Sequence, residues 1–108
     1  MRTLKFDVDG QLIRKNENCD FSGIVSNTKG YYEAAFTFSK EWENLDKVAV
    51  FRTRTANKFV PLFNSKCEVP DVITEATTYW VSVCGVKGNT TLTTSEVPVL
   101  QKKGARNA

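Results

Sequence analysis

Between Ala35 and Phe51 the chain reads AFTFSKEWENLDKVAVF, and no other stretch limits its fold so strongly. Phe36 and Phe38 alternate with Thr37 and Ser39, the period of a half-buried strand. Polar residues then surround Trp42 and Leu45. Val48-Ala49-Val50-Phe51 follows as a short apolar run suited to a strand covered on both sides. Two strands joined around one tryptophan make a β framework, with Trp42 as the expected anchor of the core.

The same alternation opens the chain. Leu4, Phe6 and Val8 alternate with Thr3, Lys5 and Asp7. Asp9-Gly10 supplies the positive φ angles of a tight hairpin turn, and Gln11 to Lys15 returns. Phe21 to Val25 reads as a weak strand, and Asn27 to Gly30 as a turn before a long strand from Tyr31 to Phe38. Phe59 to Phe63 is a strand that Pro61, lacking a backbone donor, confines to an edge or a bulge. Cys67 to Val69 is short and extended, and Pro70 starts one helical turn, Asp71 to Thr74, expected to plug one end of the domain.

Thr78 to Cys84 carries the strongest strand pattern, with Tyr79, Val81 and Val83 on one face and Trp80, Ser82 and Cys84 on the other. It is the expected central strand. Gly85 to Asn89 reads as a turn into Thr90 to Thr94, and Val97 and Val99 mark a last strand with Pro98 facing an unpaired side. The expectation is an all-β, immunoglobulin-like antiparallel β-sandwich of about seven to nine short strands, with one short helical turn near Pro70. Residues 1–101 form the single domain and 102–108 a basic C-terminal tail.

Bulk properties bound the function. A chain of 108 residues with 41% hydrophobic and 25% charged residues has the composition of a globular domain that needs no cofactor to fold. Lys and Arg outnumber Asp and Glu by 15 to 12, and Lys102, Lys103 and Arg106 account for that excess. The body is charge-neutral, which argues against a nucleic-acid clamp. No apolar run approaches the roughly 20 residues needed to span a bilayer, and the N-terminus lacks a signal-peptide pattern, so no membrane partner is expected. Cys19, Cys67 and Cys84 show no Cys-x-x-Cys spacing and read as free buried thiols in a reducing compartment. A Cys19–Cys84 bridge is the alternative if their strands face each other.

The chemistry of the side chains points away from catalysis. The chain has no histidine, which removes the Ser/His/Asp and Cys/His arrangements. Each cysteine lies within or beside an apolar pattern, where burial leaves a thiol inert. Glu41 with Glu43 and Asp7 with Asp9 are carboxylate pairs at i and i+2, a spacing typical of a solvent face. Asp7-x-Asp9-Gly10 fails as a calcium loop because Lys5 and Asn16 stand where ligands belong. No catalytic residue, metal ligand or cofactor site is expected. Aromatic residues make up 11% of the chain, more than a small core requires. Tyr31 and Tyr32 could cap the core or form a contact patch, and one of Tyr79 and Trp80 must face outward.

The stretch around Trp42, with Phe36, Phe38, Ser39, Trp42, Lys47, Ala49 and Phe51, resembles a small module of phage and prophage structural proteins of Gram-positive bacteria. Leu4-x-Phe6-x-Val8-x-Gly10-Gln11, Cys67-x-Val69-Pro70 and Val81-Ser82-Val83-x-Gly85 extend the resemblance over most of the chain. It implies a non-enzymatic virion protein of head-fibre, decoration or baseplate type, assembled in the bacterial cytoplasm and bound to capsid or tail proteins, with homo-oligomers allowed. The expected contact residues are Tyr31, Tyr32, Tyr79, Trp80, Lys102, Lys103 and Arg106. The tail residues among them read equally as a solubilising end. A carbohydrate-binding module stacking glycans on exposed Trp and Tyr is the alternative. A further one is an OB-like nucleic-acid binder using Arg52, Arg54, Lys58 and the tail.

Overall fold

Each strand of the chain gives one row of side chains to a shared core, and the rows come from two sheets. The computed structural model describes residues 1–105. The first sheet has the order β2-β1-β3-β6, from β1 (Arg2–Asp9), β2 (Leu12–Lys15), β3 (Tyr32–Phe38) and β6 (Lys66–Glu68). The second is built on β4 (Asp46–Arg52), β5 (Asn57–Pro61) and β7 (Thr78–Lys87), in the order β5-β4-β7. On the free side of β7, β8 (Thr90–Thr93) pairs with Cys84 to Lys87 and β9 (Val97–Leu100) pairs with Thr78 to Val81. The two lie end to end. The all-β sandwich expected from the sequence is therefore the fold.

Four local expectations change. β1 and β3 run parallel over seven paired residues, so the sandwich is not wholly antiparallel. In the first hairpin Asp9 stays paired with Leu12, and Gly10 alone takes a positive φ, 58°, as a type II′ turn requires. Phe21 to Val25 forms no strand. Side-chain bonds occupy that backbone instead: the Arg2 guanidinium donates to the carbonyls of Asp20 and Ser22, Ser22 N–H donates to Asp20 Oδ1, and Val25 N–H donates to Tyr32 Oη. Gly85 to Lys87, expected in a turn, continue β7, and only Gly88 and Asn89 turn.

Gly85 stays in the strand because Trp42 needs its missing side chain. Trp42 ends a 3-10 turn, Lys40–Trp42, and is fully buried. A Cβ on Gly85 would lie 2.9 Å from Trp42 Cζ3. On its other side the indole Nε1–H donates to the Gly10 carbonyl at 2.7 Å, and Phe38 packs on the ring at a centroid distance of 5.4 Å. One side chain thus ties the β1–β2 turn to the central strand of the opposite sheet. α1 (Asp71–Thr74) fills part of the core with Ile73, and Thr74 Oγ1 donates to the Thr28 carbonyl at 2.7 Å.

The chain after Gln101 is not free at once. Lys102 N–H donates to the Ile24 carbonyl at 2.7 Å, and Ser26 N–H donates to the Lys102 carbonyl at 2.8 Å. Gly104 N–H donates to Ser26 Oγ at 2.9 Å, and a Cβ on Gly104 would collide with the Ser26 carbonyl. Ordered packing continues to Gly104, three residues past the boundary expected from composition.

Trp42→Ala is expected to cost about 3–5 kcal/mol, and Gly85→Ala about 1–3 kcal/mol because the indole must shift. Denaturant unfolding of both variants measures this. A loss under about 1 kcal/mol for Trp42→Ala would contradict the anchoring role.

Candidate interaction face

Strand register decides which side chains leave the core. Ala49 and Phe51 on β4 pair with Val83 and Val81 on β7, and all four are buried. Their neighbours Val48 and Val50 therefore point outward, level with Cys84 and Ser82. Sequence reading placed this valine pair in a strand covered on both sides, but among the described residues no element covers their outer face. Phe59 pairs with Val50, Val86 with Asp46, and Leu100 with Thr78, so their side chains share that face. Phe59 is 63% exposed and Leu100 65%.

The outer face of the first sheet has the opposite character. Lys5, Asp7, Arg14, Glu33, Lys66 and Glu68 project from it, which is the ordinary solvent side of a half-buried sheet. Only the second sheet carries an apolar stripe outward. An outward apolar stripe of this kind makes the second sheet the candidate interaction face.

Trp80 stands at one end of the stripe, held in place from above. The Arg52 guanidinium lies over its ring, 4.5 Å from the centroid. Glu96 accepts from Arg52 Nε at 2.8 Å and Nη2 at 2.9 Å, a bidentate pair. That hydrogen bond holds the Glu96 carboxyl below its usual range and raises the guanidinium further. The result is a flat, charge-compensated cap on the indole. Beside it a cleft of about 490 Å³ opens between Thr53 to Thr55 and Ala76 to Thr78.

The second sheet also has an open edge. Leu62 N–H donates to the Lys47 carbonyl and Thr53 N–H to the Ala56 carbonyl, so bonded pairs alternate and the backbone groups of Asn57 and Phe59 point away from β4. Pro61 has the same outward phase, where its missing donor costs no ladder bond, as an edge position requires. Between this edge and β6 runs a groove of about 470 Å³ lined in part by Pro61, Phe63, Cys67 and Pro70. The Cys67 thiol there is pushed up to about 12, first by burial and then by the nearby Glu33 carboxylate, so it stays protonated at neutral pH.

The residues singled out from sequence do not form one patch. Trp80 is on the outer face, and its neighbour Tyr79 is buried, which resolves the pair as expected. Burial also removes Tyr32 from any contact surface, its hydroxyl being bonded to the Val25 carbonyl. The Tyr79 hydroxyl is raised well above its ordinary range by the same burial that hides it. Tyr31 is exposed, with its ring edge-on to Tyr32. Lys102 and Lys103 are exposed, while Arg106 lies outside the described residues. Sequence reading missed Val48, Val50, Phe59, Leu100 and Glu96. All three cysteines are free thiols but half-buried rather than buried, with Cys84 on the apolar outer face and Cys19 bonded to the backbone of Lys5 and Thr3.

Among the described residues, no group of three His, Cys, Asp or Glu could hold a metal ion, and no helix is long and apolar enough to cross a membrane. Comparisons with protein-family models, with curated proteins and with solved structures find no match for this chain.

The Arg52–Glu96 pair makes a pH prediction with a definite sign. A depressed folded-state pKa for Glu96 means stability that is present above the unfolded value of about 4.3 and lost as pH falls through the folded value. The contribution is small, because the side chains are 41% and 40% exposed. Glu96→Gln is expected to flatten the acid limb of thermal stability below about pH 4.3 and to perturb Trp80 fluorescence. An acid limb identical to that of the unaltered chain would contradict the pairing.

Proposed function

We propose that this chain is a non-enzymatic bacteriophage virion structural module that attaches to capsid or tail proteins through protein–protein contacts, assembled in the cytoplasm of the bacterial host. The observation that carries the attachment is the uncovered apolar face of the second sheet. The resemblance of the Trp42 region to phage structural modules supplies the virion setting. A sandwich presenting one charged face to water and one apolar face to nothing suits a part that is half enclosed by neighbours.

The other two readings have weaker support. A glycan stacking on Trp80 would have to displace a guanidinium held by two hydrogen bonds to Glu96. For nucleic acid, Arg52 is already neutralised by that carboxylate, and a two-sheet sandwich is not an OB barrel.

The test is incorporation into particles. Trp80→Ser and Phe59→Lys, each confirmed folded by circular dichroism, are expected to lower occupancy of purified virions at least about tenfold, whereas Lys5→Glu on the opposite sheet leaves it unchanged. Unchanged occupancy for both face variants would overturn the proposal.

A further inference from the structure

We infer that the virion neighbour covering this face is a second copy of the chain, the two β5-β4-β7-β8/β9 sheets stacking face to face about a two-fold axis, an inference that rests on the attachment reading above and names which structural protein fills the face. Charge is the first argument. The strands place only Asp46 and Arg52 as charged side chains on this face, at opposite ends of β4. Glu96 already matches Arg52. A strongly acidic or basic partner would find little to pair with, and burying its charges would be costly. A second copy brings the same near-neutral surface. With the two β4 strands crossing antiparallel, each Asp46 lies toward the charge-compensated Arg52–Glu96 pair of the other copy, and the two Asp46 carboxylates stay apart.

Shape is the second argument. The middle of the face is made of small side chains, Val48, Val50, Ser82 and Cys84, while the larger Phe59, Trp80 and Leu100 flank it. Two such surfaces can approach to the roughly 10 Å separation of packed sheets, with the flanking rings closing the sides. Four strand columns about 4.8 Å apart and a β4 about 23 Å long give a footprint of roughly 450 Å² before side-chain relief. With that relief the area comes near the ~600 Å² per partner at the lower end of stable interfaces. The expected dimer is therefore reversible, with a dissociation constant in the micromolar range.

Sedimentation equilibrium of the purified chain between about 1 µM and about 1 mM tests this. The weight-average mass is expected to rise from the 12.1 kDa of one chain toward twice that value. Val50→Lys, which sets two lysines against each other near the axis, is expected to weaken association at least about tenfold, and Cys84 should lose its protection from a maleimide in that variant. If Val50→Lys fails to fold, Phe59→Lys, exposed and outside the core, carries the same expectation. A chain that stays monomeric at about 1 mM overturns the inference, as does a dimer whose dissociation constant is unchanged in the folded face variants. Should the chain be monomeric while Trp80→Ser still empties particles, self-association falls and attachment stands. Should the dimer form through this face while particle occupancy ignores it, self-association stands and attachment falls.

Discussion

The indole of Trp42 fixes the relation between the two sheets. Its Nε1–H takes the Gly10 carbonyl, a group a tight hairpin turn would otherwise leave to water, and its ring occupies the space of an absent Cβ on Gly85. The turn, the ring and the central strand are therefore set together by one fully buried side chain. A buried N–H without a partner would be costly, so the hydrogen bond also selects the hairpin conformation that presents that carbonyl. Phe38 closes the remaining side of the ring and links it to the stacked Phe36 and Phe6 of the first sheet.

With the sandwich fixed in this way, the phase of β4 and β7 is fixed too. Each buried residue on those strands sends its neighbours outward, and these include Val48, Val50, Cys84, Ser82, Trp80 and Arg52. A one-residue shift would exchange the two rows, so the apolar outer face depends on the same packing that holds Trp42. The Arg52–Glu96 pair then sets the limit of that face by holding a cation flat on Trp80. Its role is to keep the end of the stripe neutral and planar. Its contribution to stability is slight.

Much of this is legible in the chain. Period-two alternation marks β1, β3 and β7, Pro61 and Pro98 mark strands that lie at edges, and the polar turn around Trp42 marks an anchor. These are local signals, each decided within a few residues. What escapes is non-local. Nothing near Leu4 or Ala34 says that β1 and β3 pair in parallel. The partner of Arg52 lies 44 residues away. Side-chain bonds, two of them from Arg2 some 20 residues earlier in the chain, hold the backbone around residues 20 to 25 outside the sheet. Tyr32 and Tyr79 were candidate contacts because tyrosine suits both core and interface, and only their phase in the strand separates the two. The most instructive difference is at Val48 and Val50. A continuous apolar run has the same appearance whether both sides of a strand are covered within the domain or one side waits for another molecule. The run that suggested a buried strand lies on the proposed interaction surface itself.

Hydroxyl-radical footprinting of the assembled particle against the free chain, kept dilute enough to be monomeric, tests the central claim most directly, because it reads the solvent access of each side chain on both faces of the sandwich. The account predicts that Val48, Val50, Phe59 and Trp80 lose reactivity in the particle while Lys5, Arg14 and Lys66 on the first sheet keep theirs. Protection of the charged face, with the apolar face as reactive in the particle as in solution, would contradict it.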